Sequence, residues 1–192
     1  MRSFHLLAAI ALLSAPARPL LAQLPLHFAL DAKHTDIEAK VAFLGLISES
    51  ARFPSATGHI ALDPENLDAL QLDVTLDARA VTAPDADTER RLKGQQFFDV
   101  AHFPEVRFVG SNLVMTGERT ALLSGTITAR GVSRPATLDI LFAQAPASTP
   151  FDQPMRLTAS MTINRDDFGM TAFHLIVGRK VKITIDATMD PA

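Results

Sequence analysis

Residues with side chains suited to catalysis or metal binding are few in this chain and lie far apart. Six histidines are present, and those after residue 22 do not occur at the spacing that places two ligands on one face of a helix. A metal site would have to be assembled from distant strands. The acidic pairs Asp166–Asp167 and Asp85/Asp87 could act as acids and bases, but such carboxylates are also typical of solvated loops and helix caps. We therefore predict no catalytic residues, no metal site and no cofactor.

Three further polar residues could form a catalytic group only if the fold brought them together. His34, Arg165 and Asp167 supply an imidazole, a guanidinium and a carboxylate, which would suit an enzyme that acts on a lipid. The serine-hydrolase elbow G-x-S-x-G and the common nucleotide-binding motifs are absent from the sequence. The sequence therefore supports an enzyme less than it supports a binding or interaction protein.

A basic cluster follows an acidic segment at residues 85–94. Asp85 can cap a helix over residues 86–93, and Gly94 can end it. Arg90, Arg91 and Lys93 would then lie in the last turn, where cations complement the helix dipole. The same cations could contact an anionic head group such as a phosphate.

Phenylalanine and methionine form two groups beside these polar residues. All twelve aromatic residues are Phe, since Tyr and Trp are absent. Phe97 and Phe98 follow the predicted helix, and Phe168, Met170 and Phe173 form the second group. Most such residues belong to a core, but a Phe/Met lining is also apolar and deformable, which suits a hydrocarbon ligand.

The elements that must position these residues are strands. Eight runs alternate apolar and polar residues with a period of two, which predicts half-buried antiparallel strands at residues 37–43, 58–62, 70–76, 104–109, 121–129, 137–142, 155–163 and 181–189. Turn residues predict short connections at 63–66, 116–119 and 131–135. Three prolines predict a loop at 143–154.

About eight amphipathic strands can form a sandwich of two sheets or a closed barrel. A barrel of eight strands is either filled by side chains or holds one small ligand. Small residues at several inward positions favour a cavity: Gly58, Ala121, Gly125, Ala129, Ala159 and Ala187.

Composition excludes several classes of protein. The chain has 192 residues, no Cys and a formal net charge of -3. Without Cys it has no disulfide framework, no Cys-ligated metal and no thiol nucleophile. A mildly acidic balance argues against binding to nucleic acid. With 47% hydrophobic and 20% charged residues, the chain can bury the core of one domain.

The N-terminal segment predicts export. Arg2 precedes an apolar run at residues 6–13 that gives way to small residues, which is the layout of a secretory signal peptide. Arg18 interrupts the run well before the roughly 20 residues that a transmembrane helix needs. We predict a signal peptide at residues 1–22, cleaved after Ala17 or Ala22, and one periplasmic domain at residues 23–192 without a transmembrane segment.

Five motifs, in order and at similar spacing, resemble the YceI family over essentially the whole predicted mature chain. They are D-A-K-H-T-x-I at 31–37, G-x-I-x-L-D at 58–63, L-K-G-x-x-F-F-D-V at 92–100 with F-P-x-V-x-F at 103–108, G-x-I-T-x-R-G-V-x-R-P at 125–135, and N-R-x-D-F-G-M at 164–170. The resemblance implies an all-β fold, a single antiparallel eight-stranded lipocalin-like barrel with one short helix. It also implies a polyisoprenoid chain in an elongated apolar cavity and no established enzyme activity.

The chain departs from the family's pattern at several positions. The family usually carries Phe at the position of Ala39, His at that of Phe43 and Gly at that of Ala51. Arg91 stands at a second position where a His is common. Two histidines that could meet a polar head group are therefore replaced, and the resemblance makes Arg91 and His34 the candidates for that contact.

We expect a protein that is not an enzyme and that carries, stores or scavenges an isoprenoid or quinone-like chain as a monomer or homodimer. The alternative is a periplasmic surface-interaction or stress protein without a bound lipid, acting beside a membrane redox partner. The predicted cavity lining is apolar and comprises Ile37, Ala39, Val41, Phe43, Ile60, Leu72, Val74, Phe97, Phe98, Phe108, Leu123, Ile127, Leu138, Ile140, Leu157, Met161, Phe168, Met170, Ile183 and Ile185.

Overall fold

The computed structural model describes residues 25–63, 66–150 and 152–192, so the predicted signal peptide lies outside the described residues. The strands are β1 Leu26–Leu30, β2 Asp36–Phe43, β3 Ile47–Arg52, β4 Ala56–Asp63, β5 Asn66–Asp77, β6 Glu105–Met115, β7 Thr120–Ala129, β8 Val132–Phe142, β9 Met155–Asn164 and β10 Val177–Pro191. The α-helix is α1, Ala86–Lys93. Short 3-10 helices occupy Ala32–His34, Ala78–Ala80, Pro146–Ser148 and Arg165–Phe168.

The strands close into an antiparallel barrel with eight positions around its circumference. The order is β1-β4-β5-β6-β7-β8-β9-β10, and β10 pairs back with β1. The long strand β10 also pairs with β2 through its first part, from Val177 to Asp186. The segments β1 and β2 therefore share one position in the wall, separated by the 3-10 helix Ala32–His34. This confirms the predicted barrel and removes the sandwich alternative.

Strand alternation sets which side chains face the barrel interior. In β7, Ala121, Leu123 and Ile127 are buried, whereas their neighbour Leu122 is 37% exposed. Because successive side chains of a strand point to opposite faces, the odd-numbered apolar residues of β7 pack in the core and the even-numbered residues meet solvent.

The predicted helix is confirmed with its bounds. Asp85 accepts a hydrogen bond from the backbone N–H of Thr88 at 2.8 Å, and the N–H of Gly94 bonds to the carbonyl of Arg91 at the other end. The helix ends carry Asp87 at the start and Lys93 at the finish, as the helix dipole favours. Within the described residues, no helix is both long and apolar enough to cross a bilayer.

Two strands were not predicted. The sequence of β1 alternates over only five residues, and β3 carries Ser48, Glu49 and Ser50, which gives it little apolar signal. The main-chain pairing of β3 with β2, from Arg52 opposite Glu38 to Ile47 opposite Phe43, holds it in place. Tertiary pairing therefore outweighs a weak local preference.

The predicted connection at residues 131–135 is wrong in length. The link between β7 and β8 consists of Arg130 and Gly131, with φ of 49° and 70°, the left-handed pair that tight hairpins need. Pro135 belongs to β8 and lies opposite Thr126. Proline is tolerated there because β8 pairs with β9 only from Asp139 onward.

Two of the small inward residues do not leave empty space. A Cβ at Gly125 would lie 2.5 Å from Cζ of Phe108 and 2.5 Å from the carbonyl oxygen of Val109. A Cβ at Gly58 would lie 2.9 Å from Cγ2 of Val74. These glycines make room for neighbouring side chains, so the argument from small residues to a cavity fails at both positions.

Candidate ligand-binding site

An apolar space, here called the inner cavity, runs inside the barrel and has a volume of about 220 Å³. One water needs about 10–15 Å³ measured in this way, so the space is large for an unfilled core. On β10 the lining extends from Val181 to Met189, which is about 26 Å along the strand. Among the described residues, every side chain that lines this space except Arg165 is apolar.

Methionine is concentrated in this lining. The chain has six methionines, and all of them except Met1, which lies outside the described residues, line the inner cavity. The thioether side chain is unbranched and polarizable, so it can repack around an irregular apolar guest. A wall that contains Met115, Met155, Met161, Met170 and Met189 can therefore adapt its shape.

A second space, here called the mouth cavity, lies at the barrel end that α1 and the β2–β3 hairpin cover, and has a volume of about 270 Å³. It is lined by Ala39, Val41, Phe43, Glu49, Ser50, Ala51, Thr88, Arg91, Leu92, Phe97, Phe98, Arg165, Met170, Phe173, Ile176, Val177 and Val181. The two cavities share five lining residues: Ala39, Phe98, Arg165, Met170 and Val181. The two cavities are therefore adjacent.

The apolar residues predicted from the sequence lie in these two cavities. All of them line the inner cavity except Val41, Phe43 and Phe97, which line the mouth cavity. Several lining residues were not predicted, among them Phe28 and Phe53. Phe28 was missed together with β1, whereas Met189 belongs to the predicted alternation of the last strand and could have been included. Whether these side chains bind a ligand stays a prediction.

Arg165 lies where the two cavities meet and is 3% exposed. Its guanidinium donates to the carbonyl oxygens of Val177 at 3.0 Å and Gly178 at 2.9 Å, and also to that of Met170. Burial lowers the pKa of this guanidinium from its ordinary value. The side chain therefore holds the segment 170–178 against the barrel end.

The two Phe groups seen in the sequence meet at the mouth. The rings of Phe97 and Phe173 stack with centroids 6.2 Å apart. Arg91 lies over the Phe173 ring at 5.7 Å, and Arg165 lies over the Phe97 ring at 6.0 Å. Both arginines therefore contact an aromatic face that borders the cavity.

The departures from the family's pattern are concentrated at one end of the site. Ala39, Phe43, Ala51 and Arg91 all line the mouth cavity. Of the two residues predicted to contact a head group, Arg91 lines the mouth cavity, and its contact with a ligand stays a prediction. His34 lines neither cavity, is 71% exposed and bonds to Asp31 through Nδ1 at 2.5 Å.

The polar group His34, Arg165 and Asp167 is not assembled. The helix that carries His34 lies beside Thr188, to whose carbonyl Asp31 donates a backbone bond, whereas Arg165 bonds to Gly178. The positions 178 and 188 of β10 are about 30 Å apart along the strand. Within the described residues, no group of three or more His, Asp or Glu side chains could hold a metal ion.

The closed antiparallel barrel with an apolar interior places the chain in the lipocalin-like class of β-barrel proteins. Within that class the chain belongs to the YceI family, since the YceI-like domain matches residues 28–189. UPF0312 proteins from two strains of Pseudomonas putida, GB-1 and W619, are each 26% identical to it over 140 residues, which is 73% of this chain and 73% of theirs.

Solved structures have the same fold. Burkholderia cenocepacia BcnA superposes with a TM-score of 0.73 at 18% identity, covering 83% of this chain and 98% of that one. A polyisoprenoid binding domain from Saccharophagus degradans, implicated in plant cell wall breakdown, gives a TM-score of 0.67 at 13% identity, covering 86% of this chain and 98% of that one. At these identities the likeness concerns the fold.

Proposed function

We propose that this protein is an exported binding protein that holds the apolar chain of an isoprenoid lipid or quinone-like molecule in the inner cavity. The observation that carries the proposal is the lining itself. Of the lining residues that the structure describes, Arg165 alone has a polar side chain, and its donors face backbone carbonyls. Such a wall offers a hydrocarbon no polar competitor and offers a charged ligand no partner.

Burial of the lipid's hydrocarbon chain supplies the affinity in this proposal. Each CH₂ transferred from water contributes about 0.8 kcal/mol, so a chain that follows much of the inner cavity needs few polar contacts. The polyisoprenoid binding domain of Saccharophagus degradans, which shares the fold, supports this class of ligand. The predicted signal peptide supports export to the periplasm, where the protein would carry, store or scavenge the lipid.

The head group would lie in the mouth cavity. Arg91 provides donors there. Glu49 and the hydroxyl oxygen of Thr88, whose proton is donated to Asp85, provide acceptors, so the site suits a hydroxyl, a quinone carbonyl or a phosphate. Because the departures from the family's pattern lie at this end, we expect the head-group preference to be particular to this chain.

Binding can be measured with an introduced tryptophan, since the natural chain has no Trp or Tyr. In Phe98→Trp the indole would lie at the junction of the two cavities, and in Leu122→Trp it would lie on the exposed outer wall. Titration of the delipidated protein with a polyprenol or an isoprenoid quinone should change the emission of the first variant in a saturable way and leave the second unchanged. If the Phe98→Trp variant is folded but its tryptophan emission does not change during the titration, the proposal is contradicted.

A further inference from the structure

Six large apolar side chains lie exposed around the mouth cavity, here called the mouth patch. They are Leu44, Leu46 and Ile47 of the β2–β3 hairpin and Phe173, Leu175 and Ile176 before β10. Leu46 is 92% exposed and Leu175 is 96% exposed. A backbone hydrogen bond from Leu44 to Ile176, 2.7 Å long, joins the two segments into one surface. Contiguous exposed apolar surface of this kind marks an interaction site.

The turn residues of the patch are apolar, although polar residues would suit their backbone. Leu44 and Gly45, with φ of 51° and 70°, form the left-handed pair of the β2–β3 hairpin. Asn and Asp are preferred at the first position of such a pair, so the turn does not require the exposed leucine there. Phe173, with φ of 57°, is a second large apolar residue in the left-handed region.

The patch is continuous with the route into the cavity. Phe173 and Ile176 belong to the patch and also line the mouth cavity. A lipid that enters or leaves the barrel by this end therefore passes directly across the mouth patch.

Basic side chains lie on the outer wall next to the patch. Lys182 of β10 is directly opposite Lys40 of β2, although like charges in that relation destabilise a sheet. Arg179 and Lys180 follow the patch along the chain, and both are exposed. An anionic surface would relieve the repulsion between these cations.

Nearby acids neutralise only part of this charge. Glu38 pairs with Lys40 at 2.7 Å, and Asp166 pairs with Arg179 at 3.2 Å. In the part of the chain that the structure describes, Lys180 and Lys182 have no ion-pair partner. Those two lysines are therefore available to an anionic partner.

We propose that the mouth patch docks on the surface of a bilayer that contains anionic phospholipids. Leu46 and Leu175 enter the boundary between head groups and acyl chains, and Lys180 and Lys182 contact the head groups. Exposed apolar tips beside basic residues are the combination by which peripheral proteins bind membranes. The inference rests on the proposed function, because a bilayer is the source or destination of an isoprenoid lipid.

Vesicle flotation with the full mature chain tests the proposal, using phosphatidylcholine vesicles with and without phosphatidylglycerol. We expect binding to the anionic vesicles that weakens as salt rises from about 0.05 M to about 0.5 M. Leu46→Ser/Leu175→Ser should weaken it at least about tenfold. The control Leu122→Ser/Leu141→Ser, which changes exposed apolar residues of the outer wall, should bind normally.

The charge contribution has its own pair of variants. Lys180→Gln/Lys182→Gln should weaken binding about fivefold for each lysine removed. Lys33→Gln/Arg156→Gln removes two exposed cations on the far side of the barrel from the mouth and should have no effect. If both pairs of substitutions weaken vesicle binding equally, the attraction is nonspecific, and docking through the mouth patch is overturned.

Uptake of a short isoprenoid alcohol dispersed without vesicles separates this proposal from the proposed function. If Leu46→Ser/Leu175→Ser retains that uptake but transfers lipid from vesicles more slowly, docking is supported. If the natural chain takes up the alcohol but does not float with vesicles, docking is overturned while the proposed function stands. A natural chain that self-associates in solution through the patch, with the variant monomeric, would assign the surface to a second copy instead.

Discussion

The guanidinium of Arg165 lies over the ring of Phe97, 6.0 Å from its centre, where the inner cavity meets the mouth cavity. The same guanidinium bonds to three carbonyls of the segment 170–178, so one buried cation fixes both the aromatic rim and the segment that carries Phe173. The shape of the mouth therefore depends on Arg165.

Replacing Arg165 should open the mouth and lower stability. Arg165→Ala leaves the carbonyls of Val177 and Gly178 without their charged donor, which we expect to cost about 3 kcal/mol. Arg165→Lys keeps the charge but lacks the planar fork and should recover only part of the loss. Urea unfolding gives the free energies, and hydrogen exchange of residues 170–178 reports the segment. Unchanged exchange in Arg165→Ala would contradict this role.

A polar group in the inner cavity should weaken lipid binding. Leu123 is 2% exposed and lines the cavity, so Leu123→Gln should lower the affinity for a polyprenol about tenfold, because an amide against hydrocarbon loses about 1–3 kcal/mol. Leu122→Gln is the matched control, since Leu122 is the next residue of β7 and faces solvent. Equal affinities in two folded variants would place the ligand outside the barrel. Ile185, which also lines the cavity, offers a second position for the same substitution.

Placing the family's usual Phe at position 39 should shorten the cavity that is open to a bound lipid chain. Ala39 lines both cavities, so the ring in Ala39→Phe would occupy their junction and exclude part of a bound chain. We expect weaker binding of long chains and a smaller effect on short ones, measured by competition between polyprenols of different length. Ala69→Phe adds the same ring at an exposed position of β5 and should alter neither the binding of long polyprenols nor that of short ones.

A single methyl group at Gly125 should destabilise the barrel. Its Cβ would meet a backbone carbonyl, that of Val109, at 2.5 Å, so main chain must move, and we expect a loss of about 1–3 kcal/mol in the free energy of unfolding. Gly110 lies opposite Gly125, and its nearest contacts, at 3.0 Å, are side-chain atoms of Leu123 and Phe108. Gly110→Ala should therefore cost less. If urea unfolding shows a larger loss of stability for Gly110→Ala than for Gly125→Ala, contact with the backbone does not govern the loss.

Stability should fall in acid. Hydrogen bonds from Arg107 lower the pKa of Asp73, so the unfolded chain takes up that proton at higher pH than the folded barrel does. The stabilisation is complete above the ordinary pKa of Asp, about 3.9, and is lost as pH falls through the lower folded value. Asp73→Asn should flatten the dependence of the urea midpoint on pH below about 4, and an unchanged slope would contradict the assignment.

Most of the strands could be predicted from the sequence because their inward residues alternate strongly, whereas the choice of a barrel over a sandwich came from the resemblance to the YceI family. The last strand repeats apolar and polar residues from Val181 to Met189, and the helix carries its own cap at Asp85. β3 could not be predicted, because Ser48, Glu49 and Ser50 contribute no apolar face and the strand exists through its pairing with β2.

The site was predictable in its apolar part and not in its polar part. Inward alternation suffices to identify Leu123 or Ile183 as lining residues. The role of Arg165 depends on carbonyls of residues 170, 177 and 178, and no spacing rule connects them with it. His34 has the right residue type for a head-group contact, but its position in the 3-10 helix Ala32–His34 keeps it away from the mouth.

Native mass spectrometry of the protein purified from the cells that naturally make it tests the central claim most directly. The account predicts one discrete additional mass per chain, which organic extraction releases as a molecule with an isoprenoid repeat. A protein that is empty when isolated, and that also fails to take up added polyprenols and quinones, would contradict the account and favour a protein that acts through its surface.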